Sequence, residues 1–265
     1  MSYYGRPVLK EPVWKVPDVP GYLFLGGMAG ASASMAAVAS ITGHHELVRA
    51  GRVAATIGAL ASVGALVHDL GRPERFLNML RVFKVTSPLS VGSWILAPFS
   101  GLTVLSAATD LSGRFTRIGT LAGAAAGVLG PGMCTYTSVL LADTAIPGWH
   151  DAYPELPFVF AGSAMASGAG ALLAGAPRSS PAVRLGLIGG ALELSAAAVM
   201  ERRVESYKQG RAGKLLKAAK ALTVAGAGLS LFRSRTTAAL AGASYLAAGA
   251  CTRFGVYYAG LDSRV

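Results

Sequence analysis

Pro20-Gly-Tyr-Leu-Phe-Leu-Gly-Gly-Met-Ala-Gly-Ala-Ser-Ala-Ser-Met-Ala-Ala-Val-Ala-Ser-Ile41 runs for about six turns of helix without a charge. The hydrocarbon core of a bilayer asks for roughly 20 consecutive apolar residues, so this one stretch is long enough to cross it. Seven more apolar runs bounded by charge or proline follow: Val53 to Leu70, Val91 to Thr109, Ile118 to Ala145, Pro157 to Gly175, Val183 to Met200, Leu215 to Phe232 and Thr236 to Tyr258. They are long and continuous, whereas barrel strands alternate apolar and polar residues over segments of about ten. The reading is an all-α polytopic membrane protein with eight transmembrane helices. The seventh run carries Lys217 and Lys220 in its first turns, where their ammonium heads are expected to snorkel to the interface.

Composition excludes a soluble globular domain. The 265 residues are 52% hydrophobic and only 14% charged, against about 25% charged in a soluble domain. Eight spans use roughly 160 residues and leave about 100 for termini and loops, too few for a second soluble domain. A formal charge of +11 would suggest nucleic acid in a soluble protein. Here the basic residues sit between the apolar runs, where they meet lipid headgroups, and no nucleic-acid partner is expected. Cys134 and Cys251 lie far apart in apolar segments. They are too few for an iron-sulfur cluster, which takes about four thiolates, or for a zinc site of the usual kind. No metal is therefore assigned to this chain. The first 21 residues are rich in proline and aromatics and lack the features of a cleaved signal peptide, so the first span is expected to be retained.

The spans are full of Gly, Ala, Ser and Thr, which let helix backbones approach closely. Small-xxx-small pairs stand at Gly26 and Gly30, Gly123 and Gly127, and Gly186 and Gly190. Two segments are alike: Phe24-Leu-Gly-Gly-Met-Ala-Gly-Ala-Ser-Ala33 opens the first helix and Phe160-Ala-Gly-Ser-Ala-Met-Ala-Ser-Gly-Ala169 the fifth, each after a proline-rich approach. This suggests an internal repeat. The chain divides into an amphipathic amino-terminal segment over 1–19, a four-helix bundle over 20–145 and a second over 146–265. An even number of spans puts both termini on one side, with the loops 69–90, 143–156 and 201–214. Of the Lys and Arg residues, 16 fall on that side and 8 on the other. Acids offset much of the excess, so charge leaves the orientation open.

The most informative stretch is His68-Asp-Leu-Gly-Arg-Pro-Glu-Arg-Phe-Leu-Asn-Met-Leu-Arg81, at the end of the second span. Asp69 and Arg72 have the spacing of a structural charge pair, with Pro73 opening a short helix. The other reading makes His68 and Asp69 proton carriers at the mouth of a ligand site. Glu193 in the sixth span and Arg253 in the eighth are ionisable residues at membrane depth. A lone carboxylate there costs about 2.5 to 3.5 kcal/mol, so Glu193 is expected to find a partner, Arg253 or a water chain. The pair reads as a structural ion pair or as part of a proton path.

The chain resembles the NrfD-like integral membrane subunits of polysulfide reductase and related complexes. The resemblance lies in Tyr4-Gly-Arg-Pro-Val-Leu-Lys10, Trp14-Lys15 and Tyr22-Leu-Phe-Leu-Gly-Gly27, and in Asp69-Leu-Gly-Arg-Pro73. It continues in Arg75-Phe-Leu-Asn-Met-Leu-Arg-Val-Phe83, Thr86-Ser-Pro-Leu-Ser-Val-Gly-Ser-Trp94, Tyr136-Thr-Ser-Val-Leu-Leu141, Pro147-Gly-Trp149, Arg253 and Ala259-Gly260. The block from Asp69 to Trp94 is the specific part. The resemblance implies a membrane anchor that exchanges electrons between membrane quinone and a docked ferredoxin-like iron-sulfur subunit, with a molybdopterin catalytic subunit beyond it. It also implies a quinone pocket among the first four helices near the side of the termini, where the residues matching the family's positions are Tyr22 and Tyr136, with His68 and Asp69 nearby. Family members have no haem. The sequence agrees, because His44, His45 and His150 lie in loops and His68 at a helix end, leaving no facing pair of axial ligands. Rich Ala and Gly usage points to a high-GC bacterium, hence to the plasma membrane and menaquinone. Two rival readings stay open: a secondary transporter, for which Gly130-Pro131-Gly132 is the nearest thing to a broken span, and a structural anchor without a working quinone site.

Overall fold

The computed structural model describes residues 14–70, 72–232 and 234–263, without the side chain of residue 75. The motif at 4–10 and most of the amino-terminal segment lie outside the described residues. Within them the chain forms eight long helices: α1 Asp18–Ile41, α2 His45–Asp69, α3 Pro88–Ser112, α4 Thr116–Ala142, α5 Leu156–Gly175, α6 Ser180–Arg203, α7 Gly210–Ser230 and α8 Arg235–Asp262. Two 3-10 helices, Pro73–Leu80 and Glu205–Tyr207, and a single α-turn, Pro147–His150, lie in the connections. Six helices, α1 to α6, are long and apolar enough to cross a membrane. In α7 the cause of the shortfall is Arg211, Lys214, Lys217 and Lys220 within 21 residues.

The helices start before their apolar runs, because backbone hydrogen bonding does not need apolar side chains, while α4 and α7 stop two or three residues short of theirs. α2 starts at His45, so Arg49 and Arg52, which lie between the first two apolar runs, are helical. Arg52 is buried and reaches Asp110 of α3, Nη1 to Oδ1 3.3 Å. Starts are fixed by capping: Ser87 and Ser179 accept from the amides of Ser90 and Ala182, and Ser234 with Thr237 forms a capping box. In α7 the early lysines do face outward or pair, with Lys220 Nζ 2.5 Å from Glu201 Oε2.

α1 and α5 are central. α1 packs against α2, α4, α5 and α8, and α5 against α6 and α8 as well as α1, α4 and α2. The pairing α1–α2, α2–α3, α3–α4, α4–α1 recurs as α5–α6, α6–α7, α7–α8, α8–α5. Close approach depends on missing side chains. A Cβ on Gly30 would lie 2.5 Å from the carbonyl oxygen of Gly130. Likewise a Cβ on Gly170 would lie 2.7 Å from that of Gly242. These contacts set the α1–α4 and α5–α8 crossings. The three glycine pairs read from the sequence also face neighbours: Gly26 meets Ser62 and Met133, Gly127 meets Ala37, and Gly186 meets Tyr245.

α4 remains helical through Gly130-Pro131-Gly132. Pro131 has no N–H for the carbonyl of Gly127, and Ser34 of α1 supplies the missing donor, Oγ to O 2.9 Å. A proline that would leave an unpaired carbonyl in lipid is thus accommodated by the neighbouring helix.

Candidate functional site

At the end of the molecule where α1 begins and α4 finishes, Tyr22 and Tyr136 meet. Their hydroxyls are hydrogen-bonded to each other, and the rings stand edge to face with centroids 6.5 Å apart. Both are buried, 4% and 8% exposed, among apolar neighbours that include Leu96, Phe99 and Met133. Gly92 of α3 leaves room for the Tyr136 ring: a Cβ there would lie 2.7 Å from Cδ2. Ser62 of α2 donates to the carbonyl of Tyr22 at 3.2 Å. All four helices of the first half therefore contribute. The Oγ1 of Thr137, next along α4, is buried with no hydrogen-bond partner among the described residues.

One helical turn before Tyr22 stands Asp18, the first residue of α1. Its Oδ2 lies 2.7 Å from Nδ1 of His68, whose side chain is 77% exposed. Asp69 accepts from the backbone amide of Lys15 at 2.8 Å, and Lys15 Nζ lies 3.4 Å from the His68 carbonyl. The chain entering α1 is thus laced to the end of α2. Asp69 and Arg72 do not form the expected pair: Arg72 is exposed and no carboxylate lies within 4.0 Å of it among the described residues, because Asp69 is turned toward Lys15. Asp18 was missed in the sequence. The available signal was an acid in the first turn of a helix, where the dipole favours it, four residues before a candidate tyrosine.

An aromatic cluster lies on the same face. Trp14 stacks on Trp149 at 5.4 Å, Trp149 Nε1 donates to the carbonyl of Val256 and Tyr257 donates to that of Trp14. Tyr207 donates to the carbonyl of Gly148 at 2.7 Å. Burial pushes the Tyr207 phenol well above its ordinary range, with Asp151 adding to the effect, so the hydroxyl stays protonated and donating. These contacts tie the Pro147–His150 turn to the approach to α1 at Trp14, to α8 at Val256 and to the α6–α7 connection at Tyr207.

Glu193 and Arg253 are both buried but not in contact: no carboxylate oxygen comes within 4.0 Å of a guanidinium nitrogen. Glu193 accepts instead from Thr252 at 2.5 Å and Thr223 at 3.3 Å. Arg253 donates to the carbonyls of Phe160 and Leu23, and its guanidinium carbon lies 3.7 Å from the centroid of the Phe160 ring, a cation–π contact. Its Nη1 has no hydrogen-bond partner among the described residues. Of the two partners open to Glu193, Arg253 is not in direct contact: hydroxyls meet the carboxylate and carbonyls meet the guanidinium, whose long side chain small residues such as Gly27 let through.

Together these features define a polytopic helical membrane protein with a buried tyrosine pair at one end and an acid–histidine pair above it. The family model described as polysulphide reductase, NrfD matches residues 8–179. That is well over half of the chain, and the chain belongs to the NrfD family. The matched residues include Tyr22, His68, Asp69 and Tyr136, whereas Glu193 and Arg253 lie beyond them. A search of the curated proteins finds no match.

Proposed function

We propose that this chain is the quinone-reactive anchor of a respiratory oxidoreductase in a bacterial plasma membrane. All eight helices cross the bilayer, arranged as two four-helix units over 20–145 and 146–265, and the repeated helix pairing supports that division. α7 and α8 are less apolar than the other six, and their charges are tolerated because Lys217 and Lys220 can snorkel and Arg253 is enclosed by other helices. The chain passes electrons between membrane quinone, menaquinone in this reading, and a docked ferredoxin-like iron-sulfur subunit. A molybdopterin subunit beyond it carries the second substrate. Iron-sulfur and molybdopterin groups belong to those partners.

The observation that carries the proposal is the buried Tyr22–Tyr136 pair in a chain of this family. Two phenols in apolar surroundings fit a quinone head, which needs donors to its carbonyls and otherwise apolar walls. In the mutual bond one hydroxyl donates and the other keeps its own O–H for a quinone carbonyl, and donation from both phenols opens that bond. Bound there, quinone supplies a two-electron, two-proton couple. The chain's own part is to donate from Tyr22 and Tyr136, and to move protons between the pair and water by way of Asp18 and His68. Asp69 holds the entry of α1 in place rather than carrying protons. Continuous helix at Gly130-Pro131-Gly132 removes the feature that spoke for a transporter.

The test is Tyr136→Phe in the assembled complex, assayed with quinol and separately with a soluble dye that bypasses the membrane subunit. Loss of one hydrogen bond at the head predicts a fall of about tenfold in quinol-linked turnover with dye-linked turnover intact. Unchanged quinol-linked turnover would favour an anchor without a quinone site.

A further inference from the structure

A cavity of about 1140 Å³ opens at the end of the molecule opposite the tyrosine pair, along the seam where α2 of the first half meets α5 of the second. The two helices touch where Gly175 meets Ala50: a Cβ on Gly175 would lie 2.7 Å from the Ala50 Cβ. From there the walls are Val53, Ala54 and Ile57 on α2 and Ala171 and Ala174 on α5, with Met28 of α1 deepest in the span. Ile57 is 62% exposed, so the groove is open sideways, toward the acyl chains. Its mouth is basic. Arg49 comes from α2, Arg178 from the α5–α6 connection and Arg235 from the first position of α8. All three are exposed, and none has a carboxylate within 4.0 Å among the described residues, although Glu46 shares the rim with His45. A smaller cavity of about 350 Å³ shares His45, Glu46 and Arg178 with it.

We infer that this groove is a binding site for one anionic phospholipid of the leaflet opposite the tyrosine pair, with an acyl chain lying along α2 and α5 and the phosphate held between Arg49, Arg178 and Arg235. An apolar slot entered from the bilayer fits a hydrocarbon chain. Three guanidiniums without acid partners, outnumbering the one carboxylate, fit a phosphate, which arginine binds by paired N–H donors. Basic pockets between membrane helices are suited to lipid head groups on these grounds. The adjoining small cavity leaves space for the polar head beyond the phosphate. Because the three arginines come from both halves of the chain, the lipid bridges the seam between them.

The test is native mass spectrometry of the full chain in a neutral detergent, titrated separately with dioleoyl phosphatidylglycerol, dioleoyl phosphatidylcholine and a short-chain menaquinone. The expected result is one tightly held phosphatidylglycerol per chain, with phosphatidylcholine about tenfold weaker or more. Combining Arg49→Gln, Arg178→Gln and Arg235→Gln should abolish that preference. Arg114→Gln with Arg117→Gln, on the same side but away from the groove, should leave it intact. Ala174→Phe, which fills the slot and keeps the arginines, should also lower affinity, and it serves if the triple variant does not fold. The proposal fails if the two lipids bind equally, if Ala174→Phe has no effect, if the control variant loses as much as the triple variant, or if the menaquinone displaces the lipid at equal concentration.

Discussion

Arg253 of α8 donates from Nε to the backbone carbonyl of Leu23 on α1, 3.3 Å away, and so ties the last helix to the residue beside Tyr22. The same guanidinium reaches Phe160 of α5 at 2.9 Å. One side chain thereby joins the two halves behind the candidate site. Lysine is a point charge on a flexible stem and cannot hold two divergent carbonyls and the face of an aromatic ring together. Arg253→Lys should lower the stability of the chain in detergent by about 1.5–3 kcal/mol, the worth of one hydrogen bond from a charged group. Unfolding followed by circular dichroism checks this, and an unchanged midpoint would mean that the fork contributes nothing.

The α1–α4 crossing rests on glycine for want of space. A Cβ on Gly30 would lie 2.5 Å from the Gly130 oxygen and 2.7 Å from the Met133 Cβ. Gly30→Ala should therefore cost about 1–3 kcal/mol through overpacking. Gly101, on α3, has nothing within 4 Å of its added Cβ, and there alanine should stabilise by about 0.5–1 kcal/mol by reducing backbone freedom. Equal effects at the two positions, measured by thermal unfolding, would contradict the crossing geometry.

Ser34 and Pro131 make a reciprocal pair. Ser34→Ala removes the donor to Gly127 and should cost about 1–3 kcal/mol for the buried carbonyl left unpaired. Adding Pro131→Ala returns the missing backbone N–H and should recover most of that loss. A double variant no more stable than Ser34→Ala alone would show that the serine acts in some other way.

Asp18 and His68 stand between water and Tyr22 in the proposed site. Asp18→Asn keeps the shape but removes the carboxylate from the route. Quinol-linked turnover of the assembled complex should fall about tenfold or more, at the low end of what a positioned acid–base group contributes to a rate. Dye-linked turnover should be unaffected, and a larger solvent deuterium isotope effect should accompany the loss. A fall in both activities would point instead to a misplaced partner subunit.

Much of the fold was legible in single runs of sequence. Uncharged stretches such as Pro20 to Ile41 mark helices because lipid offers the backbone no hydrogen-bond partner, so the chain must satisfy itself locally. The ends were less legible: α2 begins eight residues before its apolar run, since a helix needs no apolar side chains outside the bilayer. Tyr22 and Tyr136 were each named from resemblance, yet nothing local says that residues 114 positions apart share a hydrogen bond. Asp18 went unremarked because its partner, His68, is brought to it only by the α1–α2 packing.

The amino-acid order by itself determined that this is a chain of membrane helices with close-packing faces, because hydrophobic length and small-residue content act within each segment. Tertiary structure decided who meets whom. It gave Asp69 to Lys15 rather than Arg72, Glu193 to Thr252 and Thr223 rather than Arg253, and Arg52 to Asp110. A buried polar group takes the partner that helix crossing delivers within hydrogen-bond reach, and crossing is set by the summed contacts of both helices, not by the spacing of charges along either one.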